Sequence, residues 1–246
     1  MFKLSNLFTL ILVTFLYSCD QKQGTKTLRA DTVATKQIDT TKMSSSNFAD
    51  TIKIDYLQNK DILALLPLLP DSAMGSWEWN KDERIKTVDF IKTHHYFIDT
   101  TKLYNNIKTI KPHYFYTQVV DGSWSLSIYK IEDNHFIVIT NDIVGDGNDL
   151  NVYEFNKSTL KSIDIKDVLG NYLQELLIDQ HNDQCANTLE DNPVVFSYNF
   201  ETRDIIEISS SYLSKKENSK CLKGNILKYK FNPALRKFEC IAITWI

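Results

Sequence analysis

The sequence predicts a mainly β domain, with α+β as the variant: two antiparallel four-stranded meanders packed as a sandwich, a few short helices, and one amphipathic helix between them. Three observations carry this expectation. Strand-like runs with period-2 alternation recur in two groups of four, separated by turn residues. A single stretch between the groups switches to helical periodicity. The chain is 43% hydrophobic and 12% aromatic, enough to fill a core in one domain of this length.

Short helical pieces come first. Asp61 to Leu66 reads as a helix closed by Pro67 and Pro70. Asn80, with Glu83 three residues later, reads as the start of a helix running through Arg84 to Ile91. The first meander follows as Tyr114–Val120, Trp124–Ile131, Phe136–Asn141 and Leu150–Phe155, with turns at Asp121-Gly122 and Glu132-Asp133-Asn134. Trp124, Leu126 and Ile128 alternate with Ser125 and Ser127, which predicts one wet face; Phe136–Ile139, apolar on both faces, predicts a central strand. Ile165, Val168, Leu169, Tyr172, Leu173 and Leu176 then fall on one helical face behind Asp164 as cap, with Gly170 a weak point inside. The second meander reads as Val194–Phe200, Ile205–Tyr212, Asn225–Phe231 and Lys237–Trp245. The run Tyr153-Glu154-Phe155-Asn156 parallels Tyr229-Lys230-Phe231-Asn232; duplication and chance similarity of amphipathic strands are equally open.

The domain is expected to span residues 51–246 and to be preceded by two segments of different character. Lys3 gives a basic start, and Leu4–Tyr17 is a mostly apolar run of fourteen residues. Spanning a bilayer takes about 20 helical residues, so the run has the length of a secretory signal core instead. It ends in Leu16-Tyr17-Ser18-Cys19, which resembles the lipobox of bacterial lipoproteins: aliphatic at −3, small at −1, then Cys, with Tyr17 where a small residue is usual. The resemblance implies that residues 1–18 are a removed signal peptide, that Cys19 is lipidated, and that the chain is held on a membrane of the cell envelope, facing the periplasm or the cell surface. Asp20 resembles an inner-membrane retention signal of some bacteria; which membrane applies is left open. From Asp20 to Asp50 Thr, Ser and Lys recur and large apolar residues are scarce, so residues 19–50 are expected to be the lipidated Cys plus a tether. A flexible chain of that length reaches about 30 Å, from ~5–6 Å × √n.

Removing Lys3 with residues 1–18 leaves 27 bases against 31 acids, a net charge of −4. Such a surface offers no stripe for tracking phosphates, so nucleic acid is not an expected partner. Export permits disulfides. Cys185 precedes the strand Val194–Phe200 and Cys221 follows its expected hairpin partner, so antiparallel pairing brings the two to one end of the hairpin. A Cys185–Cys221 bond is expected, with Cys240 a buried free thiol within a strand.

Asp142-Ile-Val-Gly-Asp146-Gly-Asn148-Asp149 resembles the calcium loops of integrin-type FG-GAP repeats. Val144 stands at a ligand position and Asp149 comes one residue early, so an acidic hairpin is the preferred reading; Asp142, Asp146, Asn148 and Asp149 are the weak metal candidates. Asp179, His181, Asp183, Asn187 and Glu190 fall at EF-hand-like offsets, but Gln184 stands where the Gly should be, and the spacing is read as chance. The five histidines are scattered, with no H-E-x-x-H and no C-x-x-C; there is also no G-x-S-x-G, P-loop or S-x-x-K. No cofactor and no catalytic residue is assigned. Trp77, Trp79 and Trp124 read as core rather than as an aromatic binding strip. The chain is thus expected to be an envelope lipoprotein whose domain binds a protein or envelope polymer without catalysis, in the manner of inhibitors, immunity proteins or assembly accessories. The alternatives are an envelope-polymer hydrolase with an acidic cleft and a calcium-stabilised structural module.

Overall fold

A computed structural model describes residues 51–98, 106–119, 122–145, 147–190 and 194–246. The domain is mainly β, built on one six-stranded and one four-stranded antiparallel sheet. The first sheet is a meander of β1 (Asn106–Lys111), β2 (Tyr114–Val119), β3 (Gly122–Glu132), β4 (His135–Val144), β5 (Gly147–Asn156) and β6 (Thr159–Ile163), neighbours in sequence being neighbours in the sheet. The second is a meander of β7 (Ser197–Asn199), β8 (Ile205–Ser209), β9 (Ile226–Asn232) and β10 (Lys237–Thr244). The first meander therefore gains a strand at each edge over the four expected, because Asn106–Lys111 and Thr159–Ile163 are short and half polar and carry little alternation.

The six-stranded sheet is covered on both faces. One face, with Phe115, Trp124, Leu126, Ile128, Phe136, Val138, Tyr153 and Phe155, packs against a helical layer. That layer comprises α1 (Lys60–Leu65), the 3-10 turns Leu66–Leu68 and Asp71–Trp77, and α2 (Lys81–His94), with the small ladder Thr51–Lys53/Tyr96–Ile98 beside them. The other face, with Tyr129, Ile137, Ile139 and Val152, packs against the second sheet through Ile206, Ile208, Leu227, Tyr229, Phe231 and Phe238. β4 lies between β3 and β5 and its residues 135–141 are all buried, as a central strand requires. The expected wet face of β3 is corrected: Ser125 and Ser127 are buried at 6% and 1% exposure, because the second sheet lies over them. Small hydroxyls alternate like solvent-facing residues yet fit under a packed sheet.

Local chemistry explains the helices. The Asn80 side chain accepts the Glu83 N–H and so caps α2. Asp164 caps the next helix through the Lys166 N–H, but the expected single helix is two: α3 (Ile165–Leu169) and α4 (Tyr172–Leu176). Gly170 separates them at φ 68° and ψ −158°, a region open essentially to glycine alone. Within the helical layer the Arg84 guanidinium is wholly buried. It donates to Leu66 O at 3.1 Å, Leu69 O at 2.5 Å, Trp79 O and Asp71 Oδ1 at 2.9 Å, which ties both 3-10 turns to α2. The parallel runs ending at Asn156 and Asn232 both close a strand, but Tyr153 and Phe155 face the helical layer while Tyr229 and Phe231 face the first sheet.

Candidate functional site

Several of the residues singled out from the sequence have structural tasks. Cys185, on α5 (Asp183–Glu190), is bonded to Cys221, just after α6 (Lys215–Asn218), with 5.2 Å between Cα atoms. β7 and β8 are antiparallel, Glu207 opposite Asn199, which brings the two loops to one end as the hairpin argument required. Among the described residues Cys240 is the free cysteine, half-buried rather than buried, because β10 is an edge strand; burial and the nearby Glu175 charge push its thiol pKa up.

In the Asp142 hairpin, Asp142 and Asp149 are ladder partners, and Asp142 is already engaged. Asp142 points to the helical layer, where Oδ2 accepts the Ser76 N–H at 2.8 Å and Oδ1 accepts the Ser76 hydroxyl at 2.7 Å. Asn148, one position along the ladder from Asp149, faces the other way: its amide donates to Phe196 O at 2.8 Å and so links the two sheets. Asp149 is exposed opposite Asp142, and Asp146 lies outside the described residues, as does Cys19. In the EF-hand-like run, residues 183–190 are helical and Asp179 Oδ1 accepts the His181 N–H, so the set forms no loop. Among the described residues no group of three or more His, Cys, Asp or Glu could hold a metal ion.

Trp77, Trp79 and Trp124 are core, with Trp77 stacked on Trp79 at 4.0 Å and Trp124 Nε1 donating to Ala73 O at 2.8 Å. His135 is buried between two carboxylates, Glu154 at 2.6 Å and Glu132 at 3.4 Å, and Glu154 also meets Arg236 at 3.3 Å from the β9–β10 turn.

A site emerges where no motif marked one. Where the helical layer stops short of the sheet edge there is a cleft of about 460 Å³, lined by Leu68, Leu69, Pro70, Asp71, Lys81, Tyr153, Leu160 and Ser162. Pro70, extended at φ −65° and ψ 153°, parts the two 3-10 turns and forms one wall with Leu68, itself 45% exposed. The opposite wall is the sheet. Tyr153 on β5 and Ser162 on β6 are ladder partners and share the helical-layer face with Leu160. Burial, then the Asp149 charge, pushes the Tyr153 phenol above its ordinary pKa and keeps it a neutral hydroxyl. The lining holds one carboxylate, Asp71, already paired with Arg84, and one ammonium, Lys81. The lining thus combines apolar walls with two hydroxyls, a paired carboxylate and a cation. A second, smaller cavity of about 190 Å³ lies beside Gly170, between Ile165, Leu169, Leu173 and the hydrogen-bonded hydroxyls of Tyr172 and Tyr198 at 2.9 Å.

β6 bounds the cleft and is also an edge of its sheet: among the described residues no strand pairs with its outer side. The two-residue turn Lys157–Ser158 makes Asn156 and Thr159 a hydrogen-bonded pair, and such pairs alternate along an antiparallel ladder. Thr159, Lys161 and Ile163 therefore bond to β5, while Leu160 and Ser162 turn their N–H and C=O groups outward. Sequence reasoning missed Leu68, Lys81, Leu160 and Ser162, since none belongs to a motif and the strand itself was not read.

No family model matches the chain, and no curated protein does. Among solved structures it is similar to a domain of an uncharacterized protein from Porphyromonas gingivalis W83, at 11% identity and a TM-score of 0.49, over 73% of this chain and 98% of that one.

Proposed function

We propose that this protein is an envelope lipoprotein, lipidated on Cys19 and held on a membrane facing the periplasm or the cell surface, whose β-rich domain binds another macromolecule without catalysis. The carrying observation is Leu16-Tyr17-Ser18-Cys19 placed directly after an apolar run too short to span a bilayer. Two acyl chains or more hold a protein firmly where one does not, at ~0.8 kcal/mol per buried CH₂. Residues 20–50 then act as a leash. Binding is supported by the cleft at Leu68–Asp71 and β6, whose lining suits recognition.

Two experiments test the two halves. Cys19→Ala is expected to leave the folded domain in the soluble fraction; a variant still sedimenting with membranes argues against the anchor. A photoreactive residue replacing Leu68 in the lipidated protein is expected to give a discrete high-mass adduct in intact cells. Reaction with water and phospholipid alone argues against a macromolecular partner at this cleft.

A further inference from the structure

We propose that β6 is an acceptor edge for an acidic, extended peptide of a partner protein, which adds a seventh strand to the first sheet and sets alternate side chains into the cleft; this rests on the macromolecule-binding reading above. Two features of the same five residues point there. Leu160 and Ser162 present outward N–H and C=O groups, four backbone groups with no ladder partner among the described residues. The same two side chains line the cleft, so a strand docked on that backbone has its cleft-facing residues beside Leu68 and Pro70. This is strand addition, in which the main chain supplies affinity and the pocket supplies choice of side chain.

Charge selects the occupant. Lys157 and Lys161 stand exposed along the edge and Lys81 on the cleft wall, while Asp71 in the cleft lining and Glu154 opposite Lys161 on the ladder are engaged by Arg84 and by His135 and Arg236. An incoming strand with apolar residues toward the cleft and carboxylates on its other face meets Lys161 directly. A second copy fits worse. Antiparallel pairing of two β6 strands through Leu160 and Ser162 centres on Lys161 and sets two ammonium groups opposite each other, which is unfavourable across a ladder. The opposite edge, β1, is interrupted by a bulge between Ile107 and Thr109, a feature that blunts edge pairing.

The test is fluorescence anisotropy of eight-residue peptides against the full-length protein in detergent micelles. A peptide alternating Val and Glu is expected to bind at least tenfold more tightly than one alternating Val and Lys. N-methylation of every second backbone amide, in whichever phase faces β6, is expected to weaken binding at least tenfold. Ser162→Pro removes an outward N–H and leaves the bonds to β5 intact, so it is expected to fold normally and lose binding to the same degree. Lys161→Glu is expected to reverse the charge preference. Binding that ignores both N-methylation and Ser162→Pro, no binding of the Val/Glu peptide, or dimerisation of the protein through β6 each overturns the proposal. If the Leu68 photoadduct still forms with the Ser162→Pro protein, the edge is not the site while macromolecular binding stands; if no adduct forms in either protein, the parent reading falls.

Discussion

The Asp142 carboxylate grips Ser76 with both oxygens, taking its N–H at 2.8 Å and its hydroxyl at 2.7 Å, and so fastens the second 3-10 turn to the six-stranded sheet. Gly75 makes the approach possible: a Cβ there would lie 2.2 Å from Asp142 Oδ2, on a backbone at φ 52°. Asp142→Ala is expected to cost about 1–3 kcal/mol, from two hydrogen bonds to a partly exposed charge, and Gly75→Ala at least about 2 kcal/mol. Urea melts measure both. Because Asp142 is committed to Ser76, millimolar calcium is expected to leave the melting temperature unchanged; a rise of several degrees would restore the cation-bound module.

Arg84 is the polar fastener of the helical layer. Replacing it with Met leaves the carbonyls of Leu66, Leu69 and Trp79 buried without their donor, and a loss of about 3–5 kcal/mol is expected. Arg84→Lys is expected to recover little of this, since a single ammonium cannot reach three carbonyls held by a planar fork. Equilibrium unfolding of the two variants checks the order.

The Cys185–Cys221 bond closes a 36-residue separation, and in the chain-entropy model its reduction costs about 3–4 kcal/mol. Melts with and without reductant should show this loss. A non-reduced digest should yield the 185–221 pair, and Cys240 should alkylate more slowly at pH 8 than a solvent-exposed thiol of ordinary pKa, given its raised pKa.

Alkaline stability follows from Tyr114. Burial, then the charges of Glu201 and Tyr116, pushes its phenol from the ordinary 10.0 up to about 12. The folded state thus favours the neutral form. The associated stability is fully present below pH 10 and is lost as the pH rises from about 10 to about 12. Tyr129, whose phenol burial also holds well above its ordinary pKa, adds to the loss. Urea midpoints measured across that window should fall, and Tyr114→Phe should flatten the decline; an unchanged slope in the variant would assign the loss elsewhere.

Much of the β architecture was legible because its strongest strands announce themselves. Phe136–Ile139 could only be a central strand, and Leu227, Tyr229 and Phe231 against Lys228 and Lys230 could only be one dry and one wet face. The weaker parts failed for physical reasons. Ser125 and Ser127 look solvent-facing by polarity, yet a hydroxyl is small enough to lie under a second sheet. Thr159–Ile163 has too few apolar residues to be read as a strand; its place is set by the Lys157–Ser158 turn and by β5 beside it. The cleft was invisible because its walls come from segments some ninety residues apart, Leu68–Asp71 and Leu160–Ser162, which only the folded chain brings together.

The claim on which the rest depends is the lipid on Cys19. Mass spectrometry of the N-terminal tryptic peptide of the protein, purified from the membranes of the cells that make it, tests it most directly. The account predicts a peptide beginning at Cys19 and carrying a diacylglyceryl thioether. A peptide that retains Met1, or one that begins at Cys19 with an unmodified thiol, would contradict it.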